Sequence, residues 1–399
     1  SSRTRSAMRA RRTSAGRVAS VTFETFRFGK IGLRYRKYMS GVTRRTARMA
    51  DGRELIYFDD PDTALPAERR LDERRLDPRP ATATMRQDVL TGDWISVASN
   101  RNNRVFLPPA HLDPLAPQTP GNPSEIPDLY DVVVFENKSP SFGPDSDGPL
   151  PPAGRGFERT SPSVGRCEVV CFSPESTGSL GTQSVTRIRT VIEAWADRTR
   201  ALSALPGVAQ VFPFENRGEA IGVTLGHPHG QIYAYPYVTP RTRSTLQAIE
   251  ELGPDLFQRI LEREQAGPRV VLSGEHWTAF VPFAARWPIE VHMLPHRHVP
   301  DIDALDEAER AELAVLFKRL LLGVDALYDT PTPYIAAWHQ APVREGRDDV
   351  RLMLQITSPR RGADRLKFLA GSESAMGAWI ADIVPEDAAE RLREAVASV

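Results

Sequence analysis

The sequence predicts an α+β protein built from two related modules, each a largely antiparallel sheet with one long helix. Three observations predict it. Short apolar runs of strand length recur along the 399 residues, each half contains one long stretch of helical periodicity, and the order strand, strand, long helix, strand occurs twice. Such a repeat with little sequence identity reads as an internal duplication.

The first fifty residues are rich in arginine, including Arg11-Arg12 and Arg44-Arg45, with Glu24 the only acid before Asp51. That composition imitates a transit peptide, but the plainer reading is a disordered extension or a start codon placed upstream of Met39 or Met49. Residues 59–80 are charged and proline-rich and read as linker, so 1–85 is expected to be a basic, disordered leader and linker. The first module is expected at 86–240. It has a turn at 88–93, strands at 94–98, 131–135 and 167–172, and an irregular Pro/Gly-rich surface loop at 108–127. Apolar residues Val185, Ile188, Val191, Ile192 and Trp195 mark one face of a helix over 182–204, and strands follow at 208–215 and 231–237. The second module, 241–399, has strands at 269–272, 277–282 and 289–294. A helix follows over 305–328, with Leu313, Leu316, Leu320, Leu321 and Val324 on one face, and then strands at 334–339 and 352–356.

Composition narrows the class. The 51 basic and 51 acidic residues cancel, which gives no bulk attraction to nucleic acid or to an anionic membrane. No run of about 18 apolar residues is present to span a bilayer, and a cytoplasmic enzyme is the expectation. Cys167 and Cys171 are four apart in a strand-like stretch. They read as reduced, buried neighbours on one face, with neither the spacing of a disulfide framework nor that of a structural zinc pair.

The chemistry concentrates at His227-Pro228-His229-Gly230-Gln231. In an extended segment residues two apart share a face, so His227, His229 and Gln231 are expected to project together. Gly230 would let a phosphate approach the backbone. A neutral imidazole is a competent nucleophile near neutral pH once an acceptor fixes the proton on its other nitrogen. Gln231 can hydrogen-bond a phosphate oxygen but cannot protonate a leaving group, which favours transfer over hydrolysis. Just upstream, Phe214-Glu215-Asn216-Arg217-Gly218 can deliver further polar groups to the same edge.

At these residues the chain resembles the galactose-1-phosphate uridylyltransferases, a branch of the histidine-triad superfamily. The matching pieces, in order, are LTGDWISVASNRNNR, VVVFENKSPSF, CEVVCFSPES, FENRGEAIGVTLGHPHGQIYAYPYV, GEHWTAFVPFAARWPIEVHMLPHRHVPDI, PYIAAWHQAP and LKFLAGSESAMG. The resemblance implies two histidine-triad-like modules and a double displacement. His229 takes a uridylyl group from UDP-glucose and releases glucose-1-phosphate; galactose-1-phosphate then collects it as UDP-galactose. It implies that Gln231 orients the phosphate and that Arg101 and Arg104 bind phosphate or nucleotide. Asn137, Asn216 and Thr224 are then substrate contacts, and Lys367 and Glu373 hold the hexose phosphate across a homodimer interface.

His227 matches a position that is a zinc ligand in many relatives, but the accompanying ligands are largely absent here. The loop at 105–120 has no cysteine and Ser176 stands at the third position, so zinc is not expected; His111 lies in that loop. A second metal site found in some members retains His276 and lacks its His-x-His pair. His292, His296 and His298 could share a face on an extended strand, though packing is the expected role. The alternatives are an inert nucleotide-sugar-binding protein and a related histidine-triad hydrolase or phosphorylase.

Overall fold

The computed structural model describes residues 35–37, 41–76, 83–98, 108–144 and 154–399. In chain order the strands are β1 (Tyr35–Lys37), β2 (Thr43–Arg48), β3 (Glu54–Asp59), β4 (Thr84–Gln87), β5 (Trp94–Val97), β6 (Val132–Glu136), β7 (Thr160–Pro162) and β8 (Arg166–Cys171). Helix α1 (Val185–Ser203), β9 (Gln210–Arg217), β10 (His229–Tyr235), α2 (Pro240–Leu252) and α3 (Leu256–Gln265) follow. Then come β11 (Val270–Ser273), β12 (Trp277–Phe280), β13 (Ile289–Pro295), α4 (Glu307–Ala326), β14 (Tyr334–His339), β15 (Met353–Ser358), the short pair β16 (Arg360–Gly362) and β17 (Arg365–Leu366), and α5 (Pro385–Ala397).

Among the described residues one sheet of 12 strands runs in the order β1-β2-β3-β6-β8-β10-β9-β14-β15-β13-β12-β11. The duplication is visible in that order. Inside the edge strands β1 and β2 the first half reads β3-β6-β8-β10-β9, and from its outer edge inward the second reads β11-β12-β13-β15-β14. In each half the long helix connects the third strand to the innermost one. The halves join through the antiparallel pair β9·β14, where Glu215 faces Ala336 and Asn216 faces Ile335. We propose a module boundary at 240, where α2 begins.

Both long helices form for reasons legible in their sequences. Ser184 caps α1 by accepting from the Arg187 amide at 3.0 Å, and Asp306 and Glu309 form a reciprocal capping box on α4. Ile188, Val191, Ile192 and Trp195 of α1 meet Leu313, Phe317, Leu320 and Leu321 of α4 in one core under the sheet. Trp195 sits at its centre, 6.3 Å from the Phe317 ring and 5.8 Å from Trp338. No described helix is long and apolar enough to cross a membrane.

The expected leader is corrected at residues 41–76. Strands β2 and β3 belong to the main sheet, and Leu55, Tyr57 and Phe58 are buried. Of the arginines that read as an unbalanced basic run, Arg44 and Arg45 find their acids in other elements, whereas Arg11 and Arg12 lie outside the described residues. Arg44 pairs with Asp197 of α1 at 3.0 Å, and Asp59 receives both Arg45 and Arg69 at 2.6 Å. Arg53, fully buried, pairs with Asp51 at 2.7 Å and with Glu125. Met49 is also buried, so a chain starting there would lack β2. The linker reading fails in the same way at 60–76, where Arg74 is held by Asp72 at 2.8 Å and Arg187 reaches Asp60 at 2.9 Å.

Candidate active site

Strand β10 alternates. Gly230, Ile232 and Ala234 face inward toward the helices, while His229, Gln231, Tyr233 and Tyr235 line the other, half-buried face. Its neighbours are fixed by register: His229 lies opposite Cys171 of β8, and Gln231 lies between Val169 of β8 and Phe214 of β9. Continuing the β9 register by two residues sets Asn216 opposite His229. Cys167 and Cys171 share that face of β8, both buried, and neither is in a disulfide. The aromatic rings of Phe212, Phe214, Tyr233 and Tyr235 pave the floor beside Gln231, with Phe214 and Tyr233 edge to face at 5.1 Å.

A single hydrogen bond sets the tautomer of His229. Its Nδ1–H donates to the His227 carbonyl oxygen at 2.7 Å, which leaves the lone pair on Nε2. Burial lowers the pKa of the ring, against the opposing pull of that carbonyl, so the neutral form is favoured.

Gly230 has a different reason from the one expected. A Cβ there would lie 2.8 Å from the Phe172 ring and 2.9 Å from the Phe214 carbonyl oxygen. The glycine therefore permits close packing toward the core, and not the approach of a phosphate. His227 is likewise corrected. It precedes the strand at a bend and is buried, 3% exposed, so it does not stand beside His229 and Gln231 as a third presented side chain. Its Nδ1 donates to Asp113 Oδ2 at 2.7 Å, and its Nε2 lies 2.8 Å from the Ser173 carbonyl oxygen and 3.1 Å from the Tyr130 hydroxyl.

These residues do not fit a zinc ion. Both nitrogens of His227 are engaged by protein groups, and His111 is exposed on the turn Ala110–Leu112. Among the described residues no three His, Cys, Asp or Glu side chains converge as a metal cage requires. The second-half histidines also go separate ways. His292 pairs with Glu290 at 3.1 Å, His296 meets Thr278 at 2.8 Å, and His298 is exposed. Glu290, held down to about 2 because its hydrogen bonds outweigh burial, anchors a chain through Gln355 to His339, whose ring burial pushes down to about 3.

The other expected site residues divide into three groups. Arg101 and Arg104 lie outside the described residues. Asn137 follows β6 and caps a turn, its Oδ1 accepting from the Ser139 amide at 2.9 Å, and Thr224 sits half-buried in the loop leading to His227. Lys367 and Glu373 lie 3.8 Å apart in the second half. There Lys367 donates to the carbonyls of Arg286 and Ile380 and lines a cavity of about 220 Å³ with Trp287, Ile335 and Phe368. Within one chain, then, the structure brings His229, Gln231 and Asn216 together, while the hydrogen bonds of Lys367 and its pairing with Glu373 stay in the second half and the cavity it lines also borders Ala220 and Ile221 of the first.

Sequence reading missed Asp113, Tyr130 and Ser173. Asp113 lies in the segment read as an irregular surface loop, where nothing in the local pattern signals a partner 114 residues away.

Residues 77–239 match the family described as galactose-1-phosphate uridyl transferase, N-terminal domain, and residues 243–399 match the corresponding C-terminal domain. The chain is 44% identical over 375 residues to a galactose-1-phosphate uridylyltransferase of Streptomyces lividans, covering 88% of this chain and 98% of that protein. Identity to the Thermotoga maritima enzyme of the same name is 36% over 318 residues, covering 78% and 98%. A solved uridylyltransferase structure superposes with a TM-score of 0.71 at 32% identity, covering 79% of this chain and 99% of the other.

Proposed function

The chain belongs to the galactose-1-phosphate uridylyltransferase family, and from that premise we propose that it exchanges a uridylyl group between UDP-glucose and galactose-1-phosphate through a uridylyl group carried on His229. It is a transferase acting on sugar nucleotides and sugar phosphates. The observation that carries the mechanism is the 2.7 Å bond from His229 Nδ1 to the His227 carbonyl. It fixes the tautomer before substrate arrives, so Nε2 needs no general base to become nucleophilic.

In the first step Nε2 attacks the α-phosphorus of UDP-glucose. A phosphorus–nitrogen bond forms, the bond to the bridging oxygen breaks, and glucose-1-phosphate leaves with that oxygen and its electron pair. The second step reverses the first, with a phosphate oxygen of galactose-1-phosphate as attacker. Gln231 and Asn216 flank the imidazole and would hydrogen-bond nonbridging oxygens as charge shifts between them. Arg101 and Arg104 are assigned the diphosphate charge, and Asn137 and Thr224 are assigned nucleotide contacts.

A homodimer is part of this reading, in which Lys367 and Glu373 of one subunit serve the other's hexose phosphate. The exposed apolar side chains Phe368, Met376 and Ile380 on that same segment support an association surface there. A cytoplasmic location is in keeping with two cysteines outside any disulfide. Isotope exchange tests the double displacement. Labelled glucose-1-phosphate should enter UDP-glucose with no galactose-1-phosphate present. Turnover without that exchange would mean direct transfer in a ternary complex, and UDP-glucose binding without either would mean an inert binding protein.

A further inference from the structure

Behind the nucleophile four segments of the chain meet on the ring of His227. Asp113 comes from the loop before β6, Tyr130 from the approach to that strand, Ser173 from just after β8, and His227 from the bend before β10. Asp113 is itself fixed. The Leu115 amide donates to its Oδ1 at 2.9 Å, and the Asn122 side-chain amide donates to its backbone carbonyl at 2.7 Å. The Tyr130 hydroxyl also lies 2.7 Å from the Leu115 carbonyl oxygen, so loop and ring are tied at two points.

The arrangement bears on catalysis through one atom. The carbonyl that orients His229 belongs to residue 227, which precedes the strand ladder and is not held by it. The Phe172 amide holds the next carbonyl, that of Pro228, at 3.2 Å, and the position of the His227 carbonyl depends further on where the His227 side chain is anchored. Resting on the reading of His229 as the residue that takes the uridylyl group, we infer that Asp113 is a positioning residue for the reaction. It holds the His227 imidazole, and through the His227 carbonyl it holds His229 with Nε2 presented to the phosphate. It does so with hydrogen bonds at a place where the resemblance implies zinc in many relatives. A carboxylate–imidazole bond in a buried pocket is short and strong, and removing it leaves a buried ring nitrogen without a partner. The ring then turns, and the carbonyl turns with it.

The test uses the full chain as wild type, Asp113→Ala and Asp113→Asn. Three quantities are measured: the single-turnover rate of uridylyl transfer from UDP-glucose to protein, KM for UDP-glucose, and zinc per chain by elemental analysis. Wild type is expected to hold substoichiometric zinc and to keep its rate after dialysis against a chelator. Asp113→Ala should slow transfer by roughly 10- to 100-fold, the usual cost of losing a group that orients a reacting one. KM should change by less than about twofold, because substrate binding is not the property lost. Asp113→Asn, which keeps an oxygen acceptor for Nδ1, should recover part of the rate. Stoichiometric zinc lost together with activity on chelation overturns the inference. So does folded Asp113→Ala protein that transfers at the wild-type rate; should that variant fail to fold, the asparagine variant and the chelation result decide. Wild type that takes no uridylyl group at all overturns the functional reading instead, and this role falls with it.

Discussion

At the scale of single residues, position relative to the sheet decides which groups are presented and which are enclosed. His227 and His229 are chemically identical and two apart, yet one is half-buried with its Nε2 lone pair presented and the other is enclosed between Asp113 and Ser173. Glu215 is a second case. It lies on the inward face of β9, where burial pushes its pKa up to about 7 against the hydrogen bond from the Tyr334 hydroxyl. The folded state therefore holds a proton that the unfolded chain releases. This contribution to stability is full below about pH 4.5 and is lost as pH rises through about 7. Glu215→Gln should flatten that dependence, read as urea midpoints across the window. An unchanged slope would mean that the carboxyl is ionised in the fold. Gly230→Ala, with its added carbon against Phe172 and the Phe214 carbonyl, should destabilise by about 1–3 kcal/mol by the usual cost of overpacking. A urea midpoint equal to wild type would show that Phe172 gives way freely.

At the scale of elements, legibility followed the strength of the local pattern. The helices α1 and α4 and the strand β14 were readable because each carries an uninterrupted apolar period and is bounded by caps or turns. The helices α2, α3 and α5 were not. Each buries only a few side chains, such as Thr242 and Ile249 in α2, so its stripe is thin against a polar background. The hairpin β2–β3 was missed for an electrostatic reason. A run of arginines looks unbalanced when its acids are counted only locally, whereas here they come from β3 and α1. Asp59 is the test of that pairing, because its side chain is fully buried between Arg45 and Arg69. Asp59→Ala should destabilise by about 3–5 kcal/mol, the cost of breaking a buried pair. A change within experimental error in thermal unfolding would place the hairpin outside the cooperative core. Of the candidate site, the shared face of His229 and Gln231 was legible because the motif is contiguous and lies on one strand. The contact of Asp113 with His227 was not, because it exists only after loop and bend are folded together.

At the scale of the whole molecule, a duplicated unit has been used asymmetrically. Both halves share strand order and place one long helix against a common core. The first presents His229 on the half-buried face of β10; in the second, His296 has its Nδ1 on the Glu275 carbonyl oxygen but its Nε2 on Thr278, and the half offers a buried polar chain through Glu290, Gln355 and His339, together with the segment carrying Lys367. If that segment completes the site of another subunit, dilution into the monomeric range should cut turnover with galactose-1-phosphate while leaving UDP-glucose able to uridylylate the protein. Light scattering run beside the assay checks this, and full activity from a monomer would contradict it. Whether His229 carries the uridylyl group is read by intact-protein mass spectrometry after incubation with UDP-glucose alone, beside a His229→Ala control. Wild type should gain one uridylyl group, absent from the control and removed by galactose-1-phosphate. Folded wild type with no adduct, or an adduct that persists in the control, would contradict that role for His229.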